Sequence, residues 1–304
     1  MLDLLAAAPG GVTNWADLGL KPGIDLGFFT LRYYSLAYLL GLLFAAWHVS
    51  KMIKAPGAPM AQRHVEDLFF YCMLGVILGG RLGYATFYDH SLWTGFAGEG
   101  FVSWKLLRLW DGGMSFHGGV LGVLAAIAWV SHRGQLQFLR VADYIAVNVG
   151  PAMLLGRLAN FINGELWGRA ADPALPWAMT FCDLGHDSLG NCASTFMARH
   201  PSQLYEAALE GLLVAAIMIP LFWKSGARYR PGLLVGLFTA LISAGRFTVE
   251  FFRQPDAQLS EFAASTGLSM GQWLTLPLIA VGLFFMVRAL LRPPLASGYT
   301  PPKD

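Results

Sequence analysis

Seven apolar runs, each about 20 residues long and separated by polar breaks, limit what this chain can become. A run of that length is what an α-helix needs to cross the hydrocarbon core of a bilayer. Inside hydrocarbon only helices and closed barrels satisfy their own backbone. The runs are continuous rather than alternating, which argues against a barrel. The charge content points the same way. Only 13% of the 304 residues are charged and 55% are hydrophobic, whereas a soluble domain carries about 25% charged residues. The expected fold class is all-α: a polytopic membrane protein of seven transmembrane helices, forming a single integral domain over residues 1–304.

The runs place helices at about Phe29–Val49, Asp67–Tyr88, Met114–His132, Asp143–Asn163, Ser202–Trp223, Gly232–Phe252 and Ser269–Leu291. Residues before about Gly27 read as an N-terminal arm outside the membrane, and Gly164–Pro201 as a small polar head segment. Ser269-Met270-Gly271-Gln272 is a capping box that opens the last helix. Met1-Leu2-Asp3 lacks a basic n-region, so no cleavable signal peptide is expected. Basic residues gather after the first, third and fifth helices and in the tail, among them Lys51, Lys54, Arg133, Arg140, Lys224, Arg228 and Arg292. By the positive-inside rule that side is cytoplasmic. The N-terminus and the head then face outward. Cys182 and Cys192 share the head, where an oxidising compartment would permit a disulfide.

Chemistry concentrates in Gly156–Arg169, GRLANFINGELWGR. Arg157, Asn160 and Gly164 lie on one helix face. An arginine at mid-helix in a bilayer costs about 2.5–3.5 kcal/mol on insertion scales, so Arg157 needs a carboxylate or an anionic ligand. Arg246, Glu250 and Arg253 share a face of the sixth helix and leave one net positive charge, which suits a phosphate. Glu206 and Glu210, at i and i+4 of the fifth helix, are candidate counter-charges. Arg81, ringed by Gly79, Gly80 and Gly83, reads as a structural tie to a neighbour's carboxylate. His117 heads the third helix, either as a hydrogen-bonded cap or as a base for a thiol or hydroxyl. There is no His-Glu-x-x-His, no Gly-x-Ser-x-Gly and no clustered Cys and His, so no metal site is expected. On these residues alone the site suits an anionic lipid, and it suits an anion transporter as well.

Longer motifs carry a resemblance. GRLANFINGELWGR, WDGGMSFHGG (Trp110–Gly119), RHPSQLYEA (Arg199–Ala207), VEFFRQPDAQ (Val249–Gln258) and SMGQ (Ser269–Gln272) occur in that order. Together they closely resemble the bacterial phosphatidylglycerol–prolipoprotein diacylglyceryl transferases. The resemblance implies seven membrane helices with a periplasmic head in the bacterial inner membrane. The N-terminus would be periplasmic, the C-terminus cytoplasmic, and the site would open toward the periplasmic leaflet. It implies transfer of the diacylglyceryl group of phosphatidylglycerol to the lipobox cysteine of a prolipoprotein signal peptide, with glycerol 1-phosphate released. No cofactor, metal or nucleic acid is implied. By the same resemblance Arg157 and Arg246 would hold the phosphate, with Glu250 fixing Arg246. Asn160 and Glu165 would orient the headgroup, and Gly168 would give a close backbone approach. Tyr34 would stand near the lipid, and His117 would be the candidate base. Ala159 stands where the family often has glycine, and Arg32-Tyr33-Tyr34-Ser35 replaces His-Trp-Tyr-Gly.

Overall fold

The apolar runs fold as helices. The computed structural model describes residues 11–27, 30–98, 102–181, 197–254 and 265–295. Its helices are α1 (Tyr33–Met52), α2 (Gln62–Phe87), α3 (Phe116–Arg133), α4 (Phe138–Ala146) and α5 (Val149–Asn163). They are followed by α6 (Ser202–Lys224), α7 (Leu233–Val249) and α8 (Met270–Leu291). By length and composition α1, α2, α6 and α8 can each cross a membrane, and α4 with α5 passes as one bent span. Their outer faces leave large apolar side chains uncovered, Leu40 at 52% and Phe284 at 61%. Water would penalise such faces, whereas lipid solvates them. The protein is thus a mostly helical, polytopic membrane protein.

Several boundaries differ from expectation for identifiable reasons. The first helix starts at Tyr33 because Thr30–Arg32 pairs antiparallel with Gly23–Asp25. The fourth run is not one helix, since α4 and α5 meet at 41°. Pro151 explains the break: it has no N–H, and its ring crowds the carbonyl of Val147 one turn earlier. Within α6, Ala207–Leu212 form a π-helical turn. The proposed Cys182–Cys192 pair lies outside the described residues.

The sequence reads as one domain, and contacts divide it into two compact units. One is Met1–Ala45 with Ile145–Pro294, the other Ala46–Tyr144 with Leu295–Asp304. In the second unit, α2 and α3 meet through glycines. A Cβ on Gly75 would lie 2.5 Å from the Gly122 carbonyl oxygen, and one on Gly79 would strike the Gly118 carbonyl. Close backbone approach through small residues is how helices associate where lipid removes the hydrophobic drive.

Arg81, on α2, is 4% exposed. The expected carboxylate partner is replaced by backbone carbonyls. Its Nε donates to Leu106 O at 2.9 Å, Nη2 to Lys105 O at 2.6 Å and Arg108 O at 3.0 Å, and Nη1 to Gly113 O at 3.2 Å and to Gly112 O. The loop 105–113 is folded around one guanidinium, so its carbonyls are satisfied without a second charge. An ammonium cannot reproduce that fork. Arg81→Lys is expected to cost about 2 kcal/mol, read as a lower thermal unfolding midpoint in detergent. An unchanged midpoint would contradict the socket.

In the first unit, glycines again set the spacing. A Cβ on Gly211 of α6 would lie 2.6 Å from Leu154 Cα on α5, and one on Gly150 would lie 2.7 Å from Ala215 N. The arm closes over the end of α5. Its residues Thr13–Asn14 pair in parallel with Met179–Thr180, and Trp15, Met179 and Phe181 form a small core there. Trp15 Nε1 donates to Phe161 O at 2.8 Å. Gly164, at φ +68°, ends α5 with its Cα under the Trp15 ring. The turn that follows Arg157 and Asn160 is therefore fixed from above.

Candidate active site

Gly150 and Gly211 bring α5 against α6, and Arg157 is thereby set beside Glu206 and Glu210. Its Nη1 lies 2.8 Å from Glu206 Oε2 and its Nη2 lies 3.6 Å from Glu210 Oε2. From α7, Arg246 Nη1 lies 3.3 Å from Glu206 Oε1 and 4.0 Å from Glu210 Oε1. Its Nη2 lies 2.7 Å from Glu250 Oε1. Arg253 completes the group, at 3.7 Å from Glu206 Oε1 and 3.8 Å from Glu250 Oε1. Glu206 and Glu210 are the counter-charges the spacing suggested. The expected surplus positive charge is corrected, because three arginines here face three carboxylates. The reason is that α6 supplies two carboxylates that the α7 motif alone does not show.

Exposure orders this cluster. The carboxylate side chains of Glu206, Glu210 and Glu250 are exposed by 0%, 2% and 4%, and the guanidinium side chains of Arg157, Arg246 and Arg253 by 19%, 26% and 19%. The acid groups are buried, and each arginine paired with them keeps part of its side chain exposed. Such a layer is a donor array fixed before any anion arrives.

The signature continues past Arg157. Asn160 Nδ2 donates to Glu165 Oε1 at 2.9 Å and Asn163 Nδ2 donates to the same oxygen at 3.1 Å. Gln203 Nε2 donates to Glu165 O at 2.6 Å, tying that turn to α6. Glu165 is therefore held by amides and Arg157 by the α6 acids. A cavity of about 350 Å³ opens beside Glu165, lined by Arg32, Tyr34, Ser35, Asn160, Asn163, Glu165 and Leu166. Tyr34 stands there with its hydroxyl 3.1 Å from that of Tyr38.

Gly168 does make a close approach, and it is to the protein's own backbone. A Cβ there would lie 2.5 Å from Phe252 O and 2.6 Å from His200 O. Gly168 N donates to His200 O at 2.8 Å, and Arg169 Nε donates to Arg253 O at 2.8 Å. The first bond fastens the end of the signature to the segment before α6, and the second to the turn after α7, on which Arg253 sits. His200 Nδ1 lies 3.1 Å from the Tyr205 hydroxyl, and burial pushes its imidazole below the usual histidine range.

The structure thus gathers Arg157, Arg246, Glu250, Asn160, Glu165, Gly168 and Tyr34 in the first unit. His117 is in the first turn of α3, in the second unit. Ser269 and Gly271, known from the sequence only as part of a helix cap, touch Glu250. Among the described residues no His, Cys, Asp or Glu group is placed to hold a metal ion.

Residues 23–288 match the family model described as prolipoprotein diacylglyceryl transferase. Three similar relatives each bear the name phosphatidylglycerol–prolipoprotein diacylglyceryl transferase. The one from Erythrobacter litoralis is 58% identical over 288 residues, covering 95% of this chain and 96% of the relative. The one from Ruegeria pomeroyi is 46% identical, covering 86% and 90%. The one from Zymomonas mobilis is 41% identical, covering 92% and 95%.

Proposed function

Because this chain belongs to the prolipoprotein diacylglyceryl transferase family, we propose that its arginine cluster binds and activates phosphatidylglycerol for transfer of the diacylglyceryl group to a prolipoprotein. The observation that carries this is the layering of the site. Arg157 and Arg246 grip the two oxygens of one buried carboxylate, Glu206, while their own side chains stay partly exposed.

The chemistry needs such an array. The lipobox thiolate attacks the glyceryl carbon that bears the phosphate ester. A carbon–sulfur bond forms, the carbon–oxygen bond breaks, and its electron pair goes to the phosphate oxygen. The phosphate changes from a singly charged diester to a more highly charged monoester, glycerol 1-phosphate. Arginines already fixed in place gain most when that extra charge appears, so they favour the transition state over bound lipid. Arg157 and Arg246 take the phosphate oxygens, and Glu250 and Glu206 hold the two guanidinium groups in direction. Asn160, Glu165 and Tyr34 line the cavity that receives the headgroup glycerol. Gly168 holds the signature in register with Arg253 and acts on the lipid only through it.

For the thiol proton we propose His117, on the resemblance of its motif and on imidazole chemistry. A free thiol has a pKa of about 8.5, so a modest base suffices. His117→Ala is expected to lower kcat by about a hundredfold or more near neutral pH. The loss should shrink as the pH rises and the thiol ionises unaided. A pH-independent loss would contradict a proton-transfer role.

We read α3 and α7 as further spans, which completes seven. By the positive-inside rule the basic loops support a cytoplasmic C-terminus and a cluster near the periplasmic leaflet of the inner membrane. The test is purified protein in detergent with phosphatidylglycerol and a lipobox peptide, following glycerol phosphate release and peptide mass together. Release that requires the peptide cysteine, with matching mass gain, is expected. Folded protein that yields neither product would overturn the proposal.

A further inference from the structure

Glu250 does two jobs with two oxygens. Oε1 is ion-paired with Arg246 Nη2 at 2.7 Å, and Oε2 accepts the Ser269 hydroxyl at 2.7 Å. Ser269 is the N-cap of α8, so its Oγ also accepts the Gln272 N–H at 3.1 Å. One hydroxyl is therefore donor to Glu250 and acceptor from the helix, which leaves it no rotational freedom. Gln272 returns the contact: Oε1 accepts Ser269 N–H at 3.0 Å, and Nε2 donates to Phe247 O on α7 at 3.3 Å. The start of α8 is thus clamped to the turn of α7 that carries both Arg246 and Glu250. Gly271 supplies the floor. A Cβ there would lie 2.7 Å from Glu250 Cδ and 2.9 Å from each carboxylate oxygen. The carboxylate lies against bare backbone at a helix N-terminus, where negative charge is favoured.

A capping box needs only Ser269 and Gln272. It has no use for glycine at the second helical position, where alanine is the better helix former. We infer that Ser269 and Gly271 are positioning residues for the transfer reaction: they fix the Glu250 carboxylate and through it the direction of the Arg246 guanidinium. This rests on the phosphate role proposed above for Arg246.

Gly271→Ala separates positioning from folding, because it improves helix propensity while pushing the carboxylate aside. In the detergent assay, kcat is expected to fall about tenfold to a hundredfold, the size of effect that a small misplacement of a catalytic group brings. KM for the peptide should stay within about twofold of wild type, since Arg246 acts chiefly on the departing charge. Any fall in the thermal unfolding midpoint should leave the protein folded at the assay temperature, so that kcat is read on folded enzyme. Ser269→Thr keeps the hydroxyl and should retain activity. Ser269→Gly keeps most of the cap and should show the same kcat loss as Gly271→Ala. Should Gly271→Ala fail to fold, the Ser269→Thr and Ser269→Gly pair reads the same contact.

Wild-type kcat in Gly271→Ala, or equal activity in Ser269→Thr and Ser269→Gly, would overturn the inference. A wild-type protein that releases no glycerol phosphate would instead count against the proposed function itself. Wild-type activity that Arg246→Lys impairs and Gly271→Ala leaves intact would remove this inference alone.

Discussion

Arg157→Ala is expected to lower kcat by about 10³-fold or more, because it deletes a fixed donor to the phosphate as its charge grows. The same change strips Glu206 Oε2 of its 2.8 Å partner, and Glu210 keeps only Arg246 at 4.0 Å. Buried carboxylates left short of a partner are expensive. We therefore expect stability to fall as well, by about 3–5 kcal/mol. Activity and stability can be separated by a second change. Arg157→Ala with Glu210→Gln removes one positive and one negative charge together. That double variant should recover most of the thermal midpoint and none of the transfer. Recovery of both would mean that Arg157 serves only to neutralise α6. Loss of neither in the single variant would contradict the ion pairs themselves.

The second large effect is expected at Glu206, whose side chain is fully buried and reaches Arg157, Arg246 and Arg253. Glu206→Gln preserves shape. Yet an amide has one acceptor oxygen and one donor nitrogen, while the arginines approach from both sides. Whichever way the amide turns, an N–H faces a guanidinium. The central counter-charge is lost in the same step. A fall in stability of about 3–5 kcal/mol is expected, with transfer lost in whatever protein remains folded. Unfolding in detergent and the product assay measure the two parts. By contrast Glu250→Gln should be milder in stability, since its arginine contacts fall on Oε1 alone and an amide oxygen can keep that side. A Glu206→Gln variant as stable and active as wild type would show that the arginines do not depend on their shared acid.

Most of the helical frame was legible because it is written locally. An apolar run of about 20 residues announces itself without knowing its neighbours. The i, i+4 spacing of Glu206 and Glu210 was enough to mark them as counter-charges. What was not legible depends on distant pairs. Nothing near Trp15 says that its indole will donate to Phe161 O, 146 residues on. The π-helical turn at Ala207–Leu212 has no local signature in composition. Arg81 was recognised as structural, but its partners are carbonyls of residues 105–113, and carbonyls are present at every residue and so invisible as a pattern. Gly271 was legible only as one letter of a capping box. Its purpose appears once Glu250 is seen lying on it. The surplus charge expected on α7 failed for the same reason: charge balance belongs to the cluster and not to any one helix.

Arg157 and Arg246 are proposed to touch the lipid phosphate directly. The most direct test is a phosphorus-to-nitrogen dipolar contact measured by solid-state NMR on the protein in phosphatidylglycerol bilayers. Arginine guanidinium nitrogens would be labelled, and conservative Arg157→Lys and Arg246→Lys variants would assign the signals. Two guanidinium groups in direct contact with phosphorus are expected, one signal disappearing with each variant. Bound lipid whose phosphorus contacts neither arginine would contradict the account, whatever the variants do to activity.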